Sequence, residues 1–300
     1  CQGMVIAETF FRDGKDGAKT WINPADVEIR RDDRARVVGA VLKSDGQPVE
    51  IGGIEKMSKS KNNGVDPQSM VEKYGADTVR LFSMFAAPPD QSLEWNEAGV
   101  EGMARFLRRF WREVANHTSR GPVTSSPQPS ALSLPQKTLR RQVHETIQKV
   151  SDDIGRRYAF NTAIAALMEL LNAVSKFDDA SEAGRAVRHE ALEAMVLLLN
   201  PVTPHIAHAL WQALGHSIGP GPLDDRSWPT VDTAALAKDV VTLAVQVNGK
   251  LRGTIEAPVS ASRDEIERMA LAEPKVADFV GTATPKKVIV VPGKIVNVVI

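Results

Sequence analysis

Three hundred residues are enough for about two domains, and 43% hydrophobic with 25% charged residues is ordinary globular composition. No apolar run approaches the roughly 20 residues that a membrane span needs, and no signal-peptide pattern opens the chain. The 37 basic residues balance 37 acidic ones, so a nucleic-acid partner is not announced by whole-chain charge, and local patches must carry that argument. The single cysteine, Cys1, excludes an internal disulfide and fits a reducing cytosol. A chain that opens Cys-Gln-Gly reads as a fragment, with initiation at Met4 as the alternative.

In chain order, residues 1–12 are a short apolar segment with nothing before it to pair with, the expected tail of a larger upstream core. Residues 13–55 alternate Gly, Asp and Pro with short β-leaning runs such as Val37 to Leu42, and carry turn signals at Asp13-Gly14 and Asp45-Gly46. They read as a small β-rich insertion.

The stretch Lys56-Met57-Ser58-Lys59-Ser60-Lys61-Asn62-Asn63 places three lysines within six residues without a period of 2 or 3.6, which predicts a loop. Gly52, Gly53 and Gly64 bracket it and would let it swing. Asp66-Pro67 signals a helix start for Gln68 to Lys73, Gly75 a C-cap, and Asp77 the cap of a second helix from Thr78 to Phe85. An arbitrary lysine triplet is a solvated turn. Ammonium groups on long stems also suit the charge that builds on departing pyrophosphate when an acid attacks the α-phosphate of ATP.

Beyond a Pro-containing breaker at 86–93, the period becomes helical. Val100, Met103, Leu107, Phe110 or Trp111, and Val114 form an apolar stripe, with Arg105, Arg108, Arg109 and Arg112 on one face beside it. Those arginines fit either a phosphate backbone or salt-bridge partners in a solvated face. Three further amphipathic helices are marked by Leu139 to Ile154, by Ile164 to Val174 with Asn161 as cap, and by Gly184 to Leu199; Pro204 opens a last one through Leu214. Five helices with short connections predict an antiparallel bundle. Arg140, Arg141, Arg156 and Arg157 add basic pairs to it, while His205 and His208 read as core or surface histidines and no metal site is expected.

After a Gly/Pro/Asp-rich boundary at 215–239, strands at Thr242 to Val247 and Leu251 to Glu256 flank the hairpin signal Asn248-Gly249. Ser262 and Glu265 make a capping box, and Lys286 to Val291 with Ile295 to Ile300 predict a second hairpin about Pro292-Gly293. This ββαββ unit offers Lys250, Arg252, Lys286, Lys287 and Lys294 to a polyanion.

Lys56-Met57-Ser58-Lys59-Ser60 is letter for letter the KMSKS signature of class I aminoacyl-tRNA synthetases. Together with Tyr74-Gly75-Ala76-Asp77-Thr78-Val79-Arg80 and Gly99-Val100-Glu101-Gly102, it resembles bacterial leucyl-tRNA synthetase. The valyl and isoleucyl enzymes share the signature and a similar Tyr-Gly-Ala-Asp. Lys61-Asn62-Asn63-Gly64, Val245 to Lys250 and Val291-Pro292-Gly293-Lys294 look more leucyl-like, and Pro201-Val202-Thr203-Pro204-His205-Ile206 resembles the family's helical domain.

The resemblance implies a multidomain, mainly α chain. Its expected parts are the end of a Rossmann-type α/β catalytic domain at 1–12, a leucine-specific β-rich insertion at 13–55, the lysine loop with stem-contact helices at 56–96, an antiparallel anticodon-binding-type bundle at 97–230, and a small tRNA-contacting α+β domain at 240–300. By the same resemblance Lys59 contacts ATP, Lys56 matches the first lysine of the signature, and Met57, Ser58 and Ser60 complete the nucleotide loop. ATP with Mg2+ enters as substrate alongside leucine and tRNA(Leu). Arg105, Arg108, Arg109, Arg112, Arg156, Arg157, Lys250, Arg252, Lys286, Lys287 and Lys294 are the expected tRNA contacts. No protein-bound metal and no membrane contact are expected, and a cytoplasmic monomer is.

The HIGH-type motif and an editing domain are expected upstream, since none of the six histidines sits in a His-x-Gly-His context. An isolated chain of these residues is therefore expected to be inactive without the N-terminal half. A non-catalytic tRNA-binding module and a valyl- or isoleucyl-type fragment are the rival readings.

Overall fold

The computed structural model describes residues 3–300 apart from 15, 35, 36, 124, 217–222, 238, 239, 260, 282, 284 and 292. Cys1 and Pro292, named above, lie outside the described residues, as does part of the 215–239 boundary. The chain divides into two compact units, Cys1–Ala235 and Leu236–Ile300.

In the first unit the opening segment is a strand with partners of its own. β1 (Val5–Asp13) pairs antiparallel with β2 (Lys19–Ile22) and, beyond β3 (Val27–Arg31) and β4 (Val37–Leu42), with β5 (Glu50–Lys56). β3 and β4 form their own antiparallel ribbon, and β6 (Leu93–Glu94) adds to β1 in parallel. Nothing before residues 1–12 was expected to pair with them, and β1 takes its partners from strands that arrive later in the chain. Among the described residues of the first unit, the parallel pairing that suits a Rossmann-type core is limited to β1 with β6.

Gly52 and Gly53 lie inside β5. The register runs Thr9 to Gly53 and then Phe10 to Ile51, so Gly52 is the extra residue of a β-bulge. A Cβ there would come 2.5 Å from Thr9 Oγ1, and Gly53 has φ +89°. The buried Thr9 hydroxyl donates to Gly53 O at 2.8 Å and locks the bulge.

α1 (Pro67–Tyr74) starts as expected, with the Asp66 carboxylate accepting from Gln68 N and Ser69 N. α2 (Ala76–Phe85) begins earlier than its predicted start, because Gly75 ends one helix and opens the next. Asp77 thus falls inside the first turn rather than capping it.

The bundle is built from α3 (Glu97–Thr118), α4 (Leu134–Asp152), α5 (Phe160–Lys176), α6 (Glu182–Leu199) and α7 (Pro204–Ala213). α3 buries Val100, Met103, Leu107, Phe110 and Val114, which settles the choice between Phe110 and Trp111, as Trp111 is exposed. Leu170, Leu171, Leu192, Met195 and Leu198 are fully buried, and each such side chain contributes about 1.5–3 kcal/mol by leaving water. α4 passes into a π-helical turn, Asp153–Arg157. Asn161 does not cap α5; it lies inside the helix after Phe160, and Thr162 Oγ1 instead donates to the buried Asp153 at 2.6 Å.

In the second unit, β7 (Val240–Val247) and β8 (Lys250–Pro258) form the expected hairpin, with Asn248 at φ +49° and Gly249 at φ +77° as a type I′ turn requires. α8 (Arg263–Ala272) carries the Ser262/Glu265 capping box. One helix was expected between the hairpins, but Pro274 opens a second, α9 (Pro274–Val280), capped by Glu273. β9 (Lys287–Val291) and β10 (Ile295–Val299) complete a sheet of order β8-β7-β10-β9, in which β10 runs parallel to β7.

Candidate functional site

The lysine loop leaves the sheet at Lys56, the last residue of β5. It makes a 3-10 turn at Lys59–Lys61 and a left-handed residue at Asn62, φ +50°, so it is more ordered than a bare loop. Its shape is held from beneath by Asn63, which is fully buried. The Asn63 side-chain oxygen accepts from Ser58 N at 2.9 Å, while its amide donates to Lys56 O at 3.3 Å and Glu55 O at 3.4 Å. Met57 N bonds Val5 O at 3.0 Å. The sequence reading missed Asn63: a polar residue in a basic run carries no sign that it turns inward.

The three lysines divide by partner. Lys61 is paired with Glu55 and lies 5.1 Å from the Trp21 ring centre. Among the described residues the Lys56 and Lys59 ammonium groups have no hydrogen-bond or ion-pair partner, and both side chains are exposed. Ser58 Oγ and Ser60 Oγ stand 3.2 Å apart on the same loop, and Met57 is half-buried. The loop thus offers two uncommitted ammonium groups and two hydroxyls from a backbone that is fixed, which is what stabilising a polyanion without reorganisation requires.

Beyond the loop, Glu97 at the start of α3 accepts from Lys73 and from Tyr74 OH, the latter at 3.0 Å, tying α1 to α3. The Lys73 ammonium and the Tyr74 hydroxyl together hold the Glu97 carboxyl below its ordinary range.

Two motifs that are far apart in sequence meet here. The Asp77 carboxylate accepts from Ile206 N at 2.7 Å and pairs with His205 Nδ1 at 2.8 Å, so it serves the start of α7, which has no cap of its own. Arg80 donates to Val202 O and Pro201 O, each at 3.0 Å. Gly99 is needed for close approach, because a Cβ would stand 2.6 Å from the Phe82 ring. A cleft of about 700 Å³ between these elements is lined by Tyr74, Asp77, Leu107, Arg108, Trp111 and His205.

The basic residues are not equally available. Arg105, Arg108, Arg109 and Arg112 share one face of α3, with Arg105 only loosely paired to Glu101 at 3.7 Å and, among the described residues, no ion pair on the other three. Arg156 and Arg157 are taken by Asp152 and Asp153, at 2.7 and 2.6 Å. Arg141 lies 3.7 Å from Glu145. Arg140 is buried and bonds Glu190 at 2.9 Å and Asp232 at 2.8 Å, while His144 Nδ1 accepts from Asp232 N and its Nε2 faces Glu190 at 3.2 Å. Burial pushes the Glu190 carboxyl up, but the hydrogen bonds from His144 and Arg140 outweigh it and hold it below the ordinary range.

In the second unit the five expected cations do not form one patch. Lys250 faces Val247, which pairs with Val298 and through it with Val288, so Lys250, Lys286 and Lys287 lie at one end of the sheet. Lys294 precedes Ile295 at the other end. Arg252 occupies a bulge in β8 and stacks at 3.8 Å on the Phe279 ring.

Comparison with known proteins extends these observations. Residues 38–96 match the family described as tRNA synthetases class I (I, L, M and V), and residues 136–267 match the anticodon-binding domain of tRNA ligase. A leucine–tRNA ligase of Stenotrophomonas maltophilia is 65% identical over 299 residues, covering 100% of this chain and 34% of the relative. One from Xanthomonas campestris is 67% identical over 298 residues, covering 99% of this chain and 33% of the relative. The crystal structure of a ternary complex of Agrobacterium radiobacter LeuRS, tRNA and LeuAMS superposes with a TM-score of 0.64 at 30% identity, over 82% of this chain and 31% of that one. The chain spans about a third of the length of the curated relatives it matches. From end to end it is homologous to the C-terminal part of the leucine–tRNA ligases, within the class I aminoacyl-tRNA synthetases.

Proposed function

We propose that this chain supplies the nucleotide-closing loop and tRNA-binding body of a leucine–tRNA ligase acting in the cytoplasm. In that reaction the leucine carboxylate attacks the α-phosphate of ATP, the bond to the β-phosphate breaks, and pyrophosphate leaves. The leucyl group then passes from the adenylate to the terminal ribose of tRNA(Leu). Lys59, assisted by Lys56, meets the charge developing on the leaving pyrophosphate, with Ser58 and Ser60 as hydroxyl donors and Met57 beside them. Mg2+ arrives with the ATP as part of the substrate.

The observation that carries this reading is the pair of exposed, unpaired ammonium groups on a loop pinned by the buried Asn63. Residues 1–12 are assigned to the edge of the Rossmann-type catalytic domain, 13–55 to a leucine-specific insertion, 97–230 to the tRNA-bracing bundle and 240–300 to a terminal tRNA-contacting domain. On the bundle the α3 arginine face is the favoured phosphate contact, since Arg156 and Arg157 would first have to give up carboxylate partners.

The test is Lys59→Ala in the full-length ligase. Leucine-dependent pyrophosphate exchange should fall by roughly 10²- to 10³-fold, the typical loss for one such electrostatic donor, while tRNA binding is retained. An unchanged exchange rate overturns the assignment.

A further inference from the structure

Away from the lysine loop, three imidazoles and a carboxylate converge where α6 faces the end of α7. His189 and Glu193 lie one helical turn apart on α6, and His216 follows the C-cap of α7. Glu193 Oε1 is hydrogen-bonded to His216 Nε2 and stands 3.2 Å from His189 Nε2. One nitrogen or oxygen from each of the three side chains lies within 4.8 Å of the others, and among the described residues this is the one such group.

The rings are held in place from behind. Trp211 stacks on His216 with centroids 3.9 Å apart and planes 16° from parallel. His117 of α3, 3% exposed, places its Nε2 at 3.1 Å from His189 Nδ1, so the second nitrogen of His189 has a fixed partner on the side away from Glu193. Metal-binding histidines are typically oriented by a hydrogen bond on the second ring nitrogen, a part that His117 plays here. The His189–Glu193 spacing also fits, while the direct hydrogen bond between Glu193 and His216 is one that the ion would replace. Two ligand atoms about 2.0–2.2 Å from a tetrahedral ion lie about 3.4 Å from each other, close to the His189–Glu193 separation of 3.2 Å. The three side chains are 15%, 28% and 34% exposed, which leaves a solvent path for an ion and a fourth position for water.

We propose that His189, Glu193 and His216 bind one divalent transition-metal ion, with His117 as a positioning residue for His189. Two imidazole nitrogens and one carboxylate oxygen select Zn2+, Co2+ or Ni2+ over Mg2+ or Ca2+, which favour all-oxygen shells. The ion ties the segment after α7 to the middle of α6 and acts as a structural staple of the bundle. Sequence spacing gives no hint of it, because His216 reaches the pair on α6 only through the fold. The proposal departs from the expectation of no protein-bound metal, and it stands independently of the lysine loop.

The test uses the 300-residue chain after chelator treatment, titrated with Co2+ and then with Zn2+. Saturable uptake at single stoichiometry should give a ligand-field absorption that Zn2+ displaces, and Zn2+ but not Mg2+ should raise the unfolding temperature. Glu193→Gln and His216→Ala should each weaken uptake by about ten-fold or more, and His117→Phe by roughly 10-fold. His208→Gln should leave it unchanged. Circular dichroism identifies any variant that fails to fold, in which case Glu193→Gln, which keeps side-chain shape, decides. No saturable uptake by the folded parent, or uptake equal in the parent and Glu193→Gln, overturns the proposal.

Discussion

The lysine loop and the helical bundle solve opposite problems with the same chain. The bundle turns its apolar residues inward, and where it buries charge, as at Arg140, it surrounds that charge with Glu190, Asp232 and His144. The loop turns inward a single polar side chain, Asn63, and leaves Lys56 and Lys59 to solvent. One region pairs the charge that it buries at Arg140. The other leaves the ammonium groups of Lys56 and Lys59 without a partner among the described residues.

Arg140→Ala tests the bundle side most severely. Removing one member of a buried charge network strands the others, and such a break costs about 3–5 kcal/mol. A large fall in the urea midpoint of the chain is expected, and an unchanged midpoint would show that the network is decorative. Lys59→Ala tests the loop side. It should raise the barrier to adenylate formation by roughly 3–4 kcal/mol while leaving the unfolding midpoint where it was. A variant that lost stability rather than exchange would erase the contrast.

Asn63→Ala joins the two behaviours, since it strands backbone groups under the loop at about 1–3 kcal/mol. Pyrophosphate exchange in the full-length ligase should fall although both lysines are still present, and thermal unfolding should begin earlier. Retention of full exchange would mean that the loop needs no internal anchor.

The smallest effect belongs to an exposed pair. Arg12 hydrogen-bonds Asp45 and holds its carboxyl down to about 2. Because the folded value lies below the ordinary carboxylate value of about 3.9, the pair stabilises the fold above that pH and loses its contribution as pH falls through about 2. Asp45→Asn should therefore differ slightly from the parent near neutral pH and converge with it in strong acid. A gap of constant size across that range would break the linkage. Both partners are solvent-accessible, so screening keeps the contribution small.

Most of the secondary structure was legible before folding. The Asp66-Pro67 start of α1, the Ser262/Glu265 box of α8 and the Asn248-Gly249 hairpin depend on neighbours a few residues away. The errors came where a local signal had a distant use. Asp77 looks like a cap for its own helix and instead caps α7, and Asn161 looks like a cap but lies inside α5. The arginine face of α3 was visible from its spacing, whereas the commitment of Arg140, Arg156 and Arg157 to carboxylates was not.

The sequence by itself determined the helical and strand periods, the turns between them and the lysine signature, because each is written within a few residues along the chain. The tertiary structure alone decided which charges remain free. Only folding brings Asn63 beneath Ser58, Asp77 to His205, and His216 to the pair on α6. The physical reason is that a charged or polar group takes its role from what surrounds it in space, and those surroundings are assembled from residues that can be more than a hundred positions away.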